Sequence, residues 1–175
     1  TLYNDSRYGC DALGSRLRLT LLRNSYSPDP DSDNGRHTVR FAFEAHAPGV
    51  SNATLLRKAT AYNRPMLGSL SAGKASVGVS GLVIEGTDSL VCTALRQSEY
   101  SPGLILRLFE TSGRRCNARI RLAHTVRSVK EVNFLENPIA GETRLRGGII
   151  RTAFRPHEVK TLLIESDRRP AGRRR

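Results

Sequence analysis

The residues best suited to chemistry by type and spacing are three aspartates in one polar segment, residues 23–37. Asp29, Asp31 and Asp33 occupy alternate positions in RNSYSPDPDSDNGRH. A calcium loop of the EF-hand kind needs oxygen ligands at positions 1, 3 and 5, glycine at position 6 and glutamate at position 12. Counted from Asp29 or from Asp31, neither the glycine nor the glutamate falls in register. The spacing therefore favours a polar connection between strands, and we predict no metal ligand here.

Histidine and cysteine give no stronger indication of a site. The four histidines form no HxH or HExxH pair: His37, His46, His124 and His157. The three cysteines form no CxxC pair: Cys10, Cys92 and Cys116. Such spacing predicts neither a zinc site nor a disulfide framework, and it fits a reducing, cytoplasmic setting. No GxSxG motif, phosphate loop or dinucleotide fingerprint is present, so no catalytic residue is predicted from the sequence.

Basic residues dominate the charge of the chain, whose formal net charge is +12. Five arginines crowd the last nine residues, 167–175, which we predict to form a disordered basic tail. The tail is either a solvated extension, which we favour, or an arm for nucleic acid or anionic surfaces. A second arginine-rich stretch, residues 107–121, contains only Phe109 for base stacking. We therefore expect a solvated sheet face there and no nucleic-acid partner.

The elements that would position these residues are mostly strands. Leu17, Leu19 and Leu21 alternate with polar residues in SRLRLTLLR, which predicts a strand with one buried face. The segment TVRFAF follows the same pattern. One short helix is predicted in ATLLRKATAYN, with Ser51 or Asn52 as its cap.

A Gly- and Ser-rich linker is predicted from about residue 68, and strands recur beyond it. Six segments predict strands, namely LVIE, SLVCTALRQ, GLILRLFE, CNARIRLAH, VKEVNFLE and EVKTLLIE. The segment ETSGRR between the third and fourth has the composition of a hairpin connection, with Gly113 at positive φ. The fold class is therefore all-β, and these strands predict a small two-sheet sandwich over residues 79–166.

Residues 1–78, including the linker, are predicted to form a domain that cannot bury its own apolar surface. About three strands and one helix are too few to cover a sheet face, so its apolar residues are expected to pack on something outside this sequence. The chain starts at Thr1 and its only methionine is Met66, which fits a piece of a longer protein. No apolar run approaches the roughly 20 residues of a membrane span, so no membrane partner is expected.

The sequence resembles the C-terminal region of the glycoside hydrolase family 38 α-mannosidases, particularly the bacterial and vacuolar or cytosolic branch. The segment LYNDSRYGCDALGSRLRLTLLRNSYSPDPDSDNGRH is similar to the family's NDxKYGYD followed by LRLSLLRSPxxPDPxADxGxH. The segments AYNRPM, VCTALRQSEYSPGLILRLFETSGRR and FRPHEVKTLLIE continue the match in order. The resemblance covers nearly the whole chain up to about residue 165.

This resemblance implies retaining hydrolysis of terminal α-D-mannosides with zinc in the active site of the parent enzyme. The family's catalytic and zinc-binding residues lie on an N-terminal domain, and none of their motifs occurs in these 175 residues. The chain would then be the end of a large, galactose-mutarotase-like β-sandwich followed by the small C-terminal sandwich. It would be inactive alone and would hold no cofactor. Its partners would be the catalytic domain and a mannose-containing glycan, and the oligomeric state stays open.

The resemblance also implies candidate substrate-binding residues, because loops of the large sandwich partly wall the family's sugar pocket. Arg23, directly after LTLLR, is the leading candidate, followed by Asn4, Asp5 and Tyr8 in NDSRYG. The alternative role for Arg23 is a strand-end arginine that only pairs at an interdomain surface. Arg7 and Cys10 depart from the family's lysine and tyrosine, which weakens the case for the first loop.

Two functions of other classes compete with this interpretation. The chain could be a noncatalytic β-sandwich module that binds carbohydrate or polyanions by itself. It could also be a separate noncatalytic subunit of a split enzyme, in which case a catalytic chain would purify with it.

Overall fold

The computed structural model describes residues 1–64 and 81–166, which group into two units. Residues 1–50 and 55–64 belong to the first unit, and residues 51–54 and 81–166 belong to the second. The linker predicted from about residue 68, the domain boundary at residues 78 and 79, and the basic tail 167–175 lie outside the described residues. Those parts of the domain assignment stay predictions.

The first unit contains two small antiparallel sheets and most of the only helix in the described part of the chain. One sheet pairs β1 (Leu2–Asn4) with β4 (Phe41–Phe43), and the other pairs β2 (Cys10–Leu13) with β3 (Arg16–Leu19). The helix α1 spans Asn52–Asn63. Ser51 caps it, because its Oγ accepts a hydrogen bond from the Thr54 backbone N–H at 3.2 Å.

A polar cluster in the first unit joins the β1–β4 sheet to the helix. Tyr3 is buried, and its hydroxyl donates to Glu44 Oε2 at 2.5 Å. Lys58 on α1 donates to the same carboxylate. The hydrogen bond from Lys58, with that from Tyr3, holds the pKa of Glu44 below its usual range. The ring of Tyr3 also stacks against Tyr62, with centroids 6.0 Å apart.

Within the described residues, the apolar face predicted for SRLRLTLLR is not buried. Leu17 and Leu21 are 44% and 45% exposed, and β3 ends at Leu19. Phe41 and Phe43 do share a face, as the alternation predicts, but they are 53% and 69% exposed. The physical reason is that each sheet has two strands and no second apolar layer within the described residues, so alternation alone does not bury a face.

The second unit is a sandwich of two four-stranded antiparallel sheets, which confirms the predicted all-β class. The first sheet has the order β10–β11–β8–β5 and the second β6–β7–β12–β9. The strands are β5 (Leu82–Glu85), β6 (Leu90–Gln97), β7 (Leu104–Glu110), β8 (Cys116–Leu122), β9 (Val126–Val132), β10 (Arg144–Arg146), β11 (Ile149–Phe154) and β12 (Val159–Ser166).

Alternate residues of the two sheets meet in the main apolar core, and a smaller buried cluster of Ile105, Val132 and Leu163 lies on the other face of the second sheet. The members of the main core come from both sheets: Leu90, Leu106, Leu108, Ala118, Ile120, Val126, Ile150, Phe154, Leu162 and Ile164. Each fully buried leucine or isoleucine of this kind stabilises a fold by about 1.5–3 kcal/mol. Cys92 and Cys116 pack at the edge of the core, as small strand residues do, and burial raises the pKa of the Cys92 thiol.

The connection ETSGRR is not a hairpin, contrary to its composition. Strands β7 and β8 belong to different sheets, so the connection crosses from one layer of the sandwich to the other. Gly113 does have positive φ, at 71°. A Cβ there would lie 2.7 Å from His157 Nε2, so the position also needs the close approach that only glycine allows.

Candidate functional site

The candidate substrate residues cluster on loops of the first unit, which we call the first-unit loop cluster: residues 4–9, residues 20–23 and His37. The backbone N–H of Thr20 donates to Gly9 O at 2.7 Å, which joins the first loop to the segment after β3. Arg7 reaches the third part, with its Nη2 3.4 Å from His37 Nδ1. Hydrogen bonds therefore join Gly9 to Thr20 and Arg7 to His37, and Arg23 lies three residues beyond Thr20.

Within this cluster the candidates differ in how firmly they are held. Asn4 ends β1, and its Oδ1 accepts from the Arg7 backbone N–H at 3.1 Å. Its backbone oxygen accepts from Asn63 Nδ2 at 3.2 Å. Asp5 Oδ1 accepts from Ser6 Oγ at 3.0 Å. Asn4 and Asp5 thus stabilise the loop, and this role competes with sugar binding.

Tyr8 and Arg23 are the open members of the cluster. Tyr8 is 81% exposed, and Arg23 is exposed in the irregular segment after β3. Within residues 1–64 and 81–166, Arg23 makes no hydrogen bond or ion pair. Its alternative role, pairing at an interdomain surface, stays open because that surface would be shared with a domain outside this sequence. Both side chains are free to contact a ligand.

The aspartates of residues 23–37 shape the loop backbone. Asp29 Oδ1 accepts from the Asp31 backbone N–H at 3.0 Å, which closes an Asx turn. Asp31 Oδ1 accepts from Asn34 Nδ2 at 2.7 Å, and the Asp33 carbonyl lies 2.9 Å from His37 Nε2. The three aspartates therefore stabilise the turns of this loop.

The family's zinc does not fit the described residues. No group of three or more His, Cys, Asp or Glu side chains in residues 1–64 and 81–166 could hold a metal ion. His37 and His46 are engaged with neighbouring groups, His46 with Thr1 Oγ1 at 2.8 Å. We therefore derive no chemical step through zinc in this chain.

A second polar surface, on the outer face of the sheet β10–β11–β8–β5, was missed from the sequence. It carries five exposed arginines, which we call the arginine face: Arg119, Arg121, Arg144, Arg146 and Arg151. The sequence interpretation had grouped Arg119 and Arg121 with Arg107 of β7, which lies in the other sheet. Strands β10 and β11 supply the other three, and the paired glycines in RLRGGIIRTAF were the available signal for their hairpin.

Comparison with known proteins places this fold in a family. Residues 89–162 match the model of the glycosyl hydrolases family 38 C-terminal beta sandwich domain. The chain is 30% identical over 167 residues to alpha-mannosidase 2C1 of Homo sapiens, a match that covers 93% of this chain and 16% of that protein. It is 26% identical over 155 residues to the alpha-mannosidase of Saccharomyces cerevisiae, covering 78% of this chain and 14% of the relative.

The chain thus spans about a sixth of the length of the curated relatives it matches. The family model covers the sandwich from β6 to the first half of β12 and leaves out β5, and the identity to the human protein extends over nearly all of this chain. The chain therefore belongs to the family 38 α-mannosidases and carries the C-terminal β-sandwich domain of that family.

Proposed function

We propose that this chain is the C-terminal β-sandwich region of a retaining, zinc-dependent α-mannosidase that hydrolyses terminal α-D-mannosides. In this proposal the chain supports the N-terminal catalytic domain of the same enzyme and partly walls its sugar pocket. The catalytic carboxylates and the zinc belong to that other domain. The names of the relatives and the exposed apolar surface of the first unit support this assignment.

The observation that carries the proposal is the apolar surface of the first unit. Six large apolar side chains there are between 44% and 69% exposed: Leu13, Leu17, Leu21, Leu22, Phe41 and Phe43. Leu17 shares one face of the β2–β3 sheet with Leu19, and Phe41 shares one face of the β1–β4 sheet with Phe43. Apolar faces left exposed on a folded chain mark interaction surfaces when they are contiguous. A buried interdomain contact would also fix the position of the loop cluster, and catalysis depends steeply on such positioning. The partner is the catalytic domain.

The first test is the activity of the chain by itself. We expect the purified chain to show no turnover of an aryl α-mannoside with added zinc, because the described residues hold neither a metal site nor a catalytic pair. Adding the separately produced N-terminal catalytic domain should produce zinc-dependent turnover and a stable complex on size-exclusion chromatography. Turnover by the chain alone, or failure of the two parts to associate, would contradict the proposal.

The second prediction concerns Arg23 in the full-length enzyme. We expect Arg23→Ala to lower kcat/KM for a mannoside by about 10- to 100-fold, the effect of losing one or two charge-assisted hydrogen bonds. The kcat/KM of Arg23→Lys should lie between those of the wild type and Arg23→Ala, because lysine keeps the charge but lacks the paired N–H donors of the guanidinium group. Arg36→Ala, an exposed arginine of the same segment, is the matched control and should change kcat/KM less than twofold. Equal losses for Arg23→Ala and Arg36→Ala would remove Arg23 from the pocket.

A noncatalytic carbohydrate- or polyanion-binding module is the second candidate, favoured by the arginine face. Heparin retention of the chain after replacement of the tail arginines by serine would support it. Retention that disappears with the tail and falls with salt would be electrostatic attraction to the tail alone.

A cytoplasmic location completes the proposal. Cys10, Cys92 and Cys116 are free thiols in the structure, and a reducing compartment keeps thiols in that form. No helix in residues 1–64 and 81–166 combines the length and apolarity of a membrane span. Fractionation of cells that produce the full-length enzyme tests the location, and recovery in a secreted fraction would contradict it.

A further inference from the structure

The strand register sets three arginines of the arginine face in a row. Arg151 on β11 is the direct partner of Arg144 on β10 and of Arg119 on β8. Neighbouring strands lie about 4.8 Å apart, so the row spans roughly 10 Å across the sheet. Arg121, two residues after Arg119, and Arg146, two residues after Arg144, extend the same face.

This arrangement is costly without a counterion. Like charges directly opposite each other on neighbouring strands destabilise a sheet. Within the described part of the chain, Arg119, Arg144 and Arg151 form no ion pair. Glu85 on β5 is the direct partner of Arg119 and lies 3.4 Å from Arg121, so it neutralises the β5 edge of the face. The central row keeps three guanidinium groups free to meet an anion.

The surface around the row is concave rather than flat. A cleft of about 860 Å³ is lined by Arg119, Arg144, Arg146 and Arg151, with Asn117 and Glu142 among the other polar groups. This volume is within the range of about 300–1,000 Å³ found for small-molecule sites. Guanidinium groups bind phosphate-type oxygens through two parallel N–H donors, a geometry that a lysine cannot provide.

We propose that the arginine face is a binding site for a compact polyanion carrying two or more phosphate-type groups, held across Arg119, Arg151 and Arg144. The positive charge of the row favours an anion, and its span of roughly 10 Å has room for more than one anionic group. The size of the cleft fits a small molecule. The site lies entirely in the second unit and does not depend on mannoside hydrolysis or on Arg23.

Isothermal titration calorimetry of the whole chain with tripolyphosphate tests the site. We expect Arg151→Ala to weaken binding at least 10-fold, because Arg151 is central to the row. Arg151→Lys should weaken it less, since the charge remains while the paired donors are lost. Arg114→Ala removes an equal charge from the exposed connection between β7 and β8, and it should change the affinity less than twofold. Equal effects of Arg151→Ala and Arg114→Ala would overturn the proposal.

The basic tail needs its own control, because tripolyphosphate could bind there. A chain with the five arginines of residues 168–175 replaced by serine should keep the Arg151-dependent binding. Binding that disappears in this variant would also overturn the proposal. Thermal unfolding without the anion gives an independent readout: Arg151→Gln should raise the Tm at low salt by relieving repulsion. A lowered Tm would show instead that Arg151 has a structural role.

Discussion

Replacing Lys160 by methionine is expected to destabilise the second unit by about 3–5 kcal/mol, the range for breaking a buried ion pair. Lys160 lies on β12 inside the sandwich, only 8% exposed, and its Nζ lies 3.2 Å from Glu131 Oε1. It also donates to Thr152 Oγ1 at 3.2 Å and to Ala153 O at 2.9 Å. Methionine fills the space but leaves a buried carboxylate without its cation.

The carboxylate left behind is firmly placed, which is why the loss is large. Thr143 donates to Glu131 Oε1 from its backbone N–H at 2.9 Å and from its hydroxyl at 2.5 Å. A Cβ on Gly141 would lie 2.1 Å from the Glu131 carboxyl carbon, so the carboxylate occupies the space that the missing side chain of Gly141 leaves. Burial opposes ionisation of Glu131, but the hydrogen bonds from Thr143 and Lys160 outweigh it and hold its pKa below the usual range.

Native-state hydrogen exchange of β7 and β12 measures this loss within the second unit. The double variant Lys160→Met with Glu131→Gln should recover more than half of it, because a neutral amide oxygen still accepts from Thr143. Lys130→Met makes the same chemical change at an exposed neighbouring position on β9 and should alter stability by less than about 0.5 kcal/mol. If Lys160→Met and Lys130→Met have equal effects, the buried pair does not stabilise the sandwich.

The second large effect is expected at Glu110, where Glu110→Gln should cost about 3 kcal/mol. Glu110 is fully buried at the end of β7. Its carboxylate accepts from the backbone N–H groups of Ser112 at 2.8 Å, Gly113 at 2.8 Å and His157 at 3.0 Å. It therefore joins the crossing between the sheets to the turn before β12. Glutamine presents an NH₂ group to some of these donors and leaves them unsatisfied.

The stability that Glu110→Gln loses should depend on pH in a predictable direction. Burial opposes ionisation of Glu110, yet hydrogen bonds from Ser112 and His157 outweigh burial and lower its pKa from 4.5 to about 2. A carboxyl group with a depressed folded pKa stabilises the fold above its unfolded pKa, and that stability is lost as the pH falls through the folded value. The wild-type advantage over Glu110→Gln should therefore shrink between pH 4.5 and pH 2.

Urea unfolding of both proteins at pH 6, 4 and 2.5 measures the difference. Glu99→Gln, at an exposed position, is the matched control and should follow the wild type at every pH. Glu131 and Glu136 also have lowered pKa values, so Glu110→Gln should still lose part of its stability in acid. A wild-type advantage that stays constant down to pH 2.5 would show that the charge of Glu110 is not what stabilises the turn.

The elements of the second unit were predictable because their signals are local. The apolar runs in GLILRLFE and EVKTLLIE predict buried strands, and the structure buries Leu106, Leu108, Leu162 and Ile164 in the main core. Their neighbours Ile105 and Leu163 are buried on the opposite face of the same sheet. The helix and its cap at Ser51 followed in the same way from capping chemistry and periodicity. The similarity to family 38 could also be read directly from ordered motifs along the chain.

What the sequence could not decide was which strands become neighbours. ETSGRR has the composition of a hairpin turn, yet β7 pairs with β12 and β8 pairs with β11, because burying both apolar faces requires two layers. Only this pairing sets Arg119, Arg151 and Arg144 in one row, although they are far apart in the chain. Only the tertiary structure leaves Leu17 and Phe43 exposed, since alternation specifies a shared face but not the layer that covers it. The sequence alone thus determined six of the eight strands of the sandwich and the family, and the pairing of the sheets decided the buried carboxylates and the arginine face.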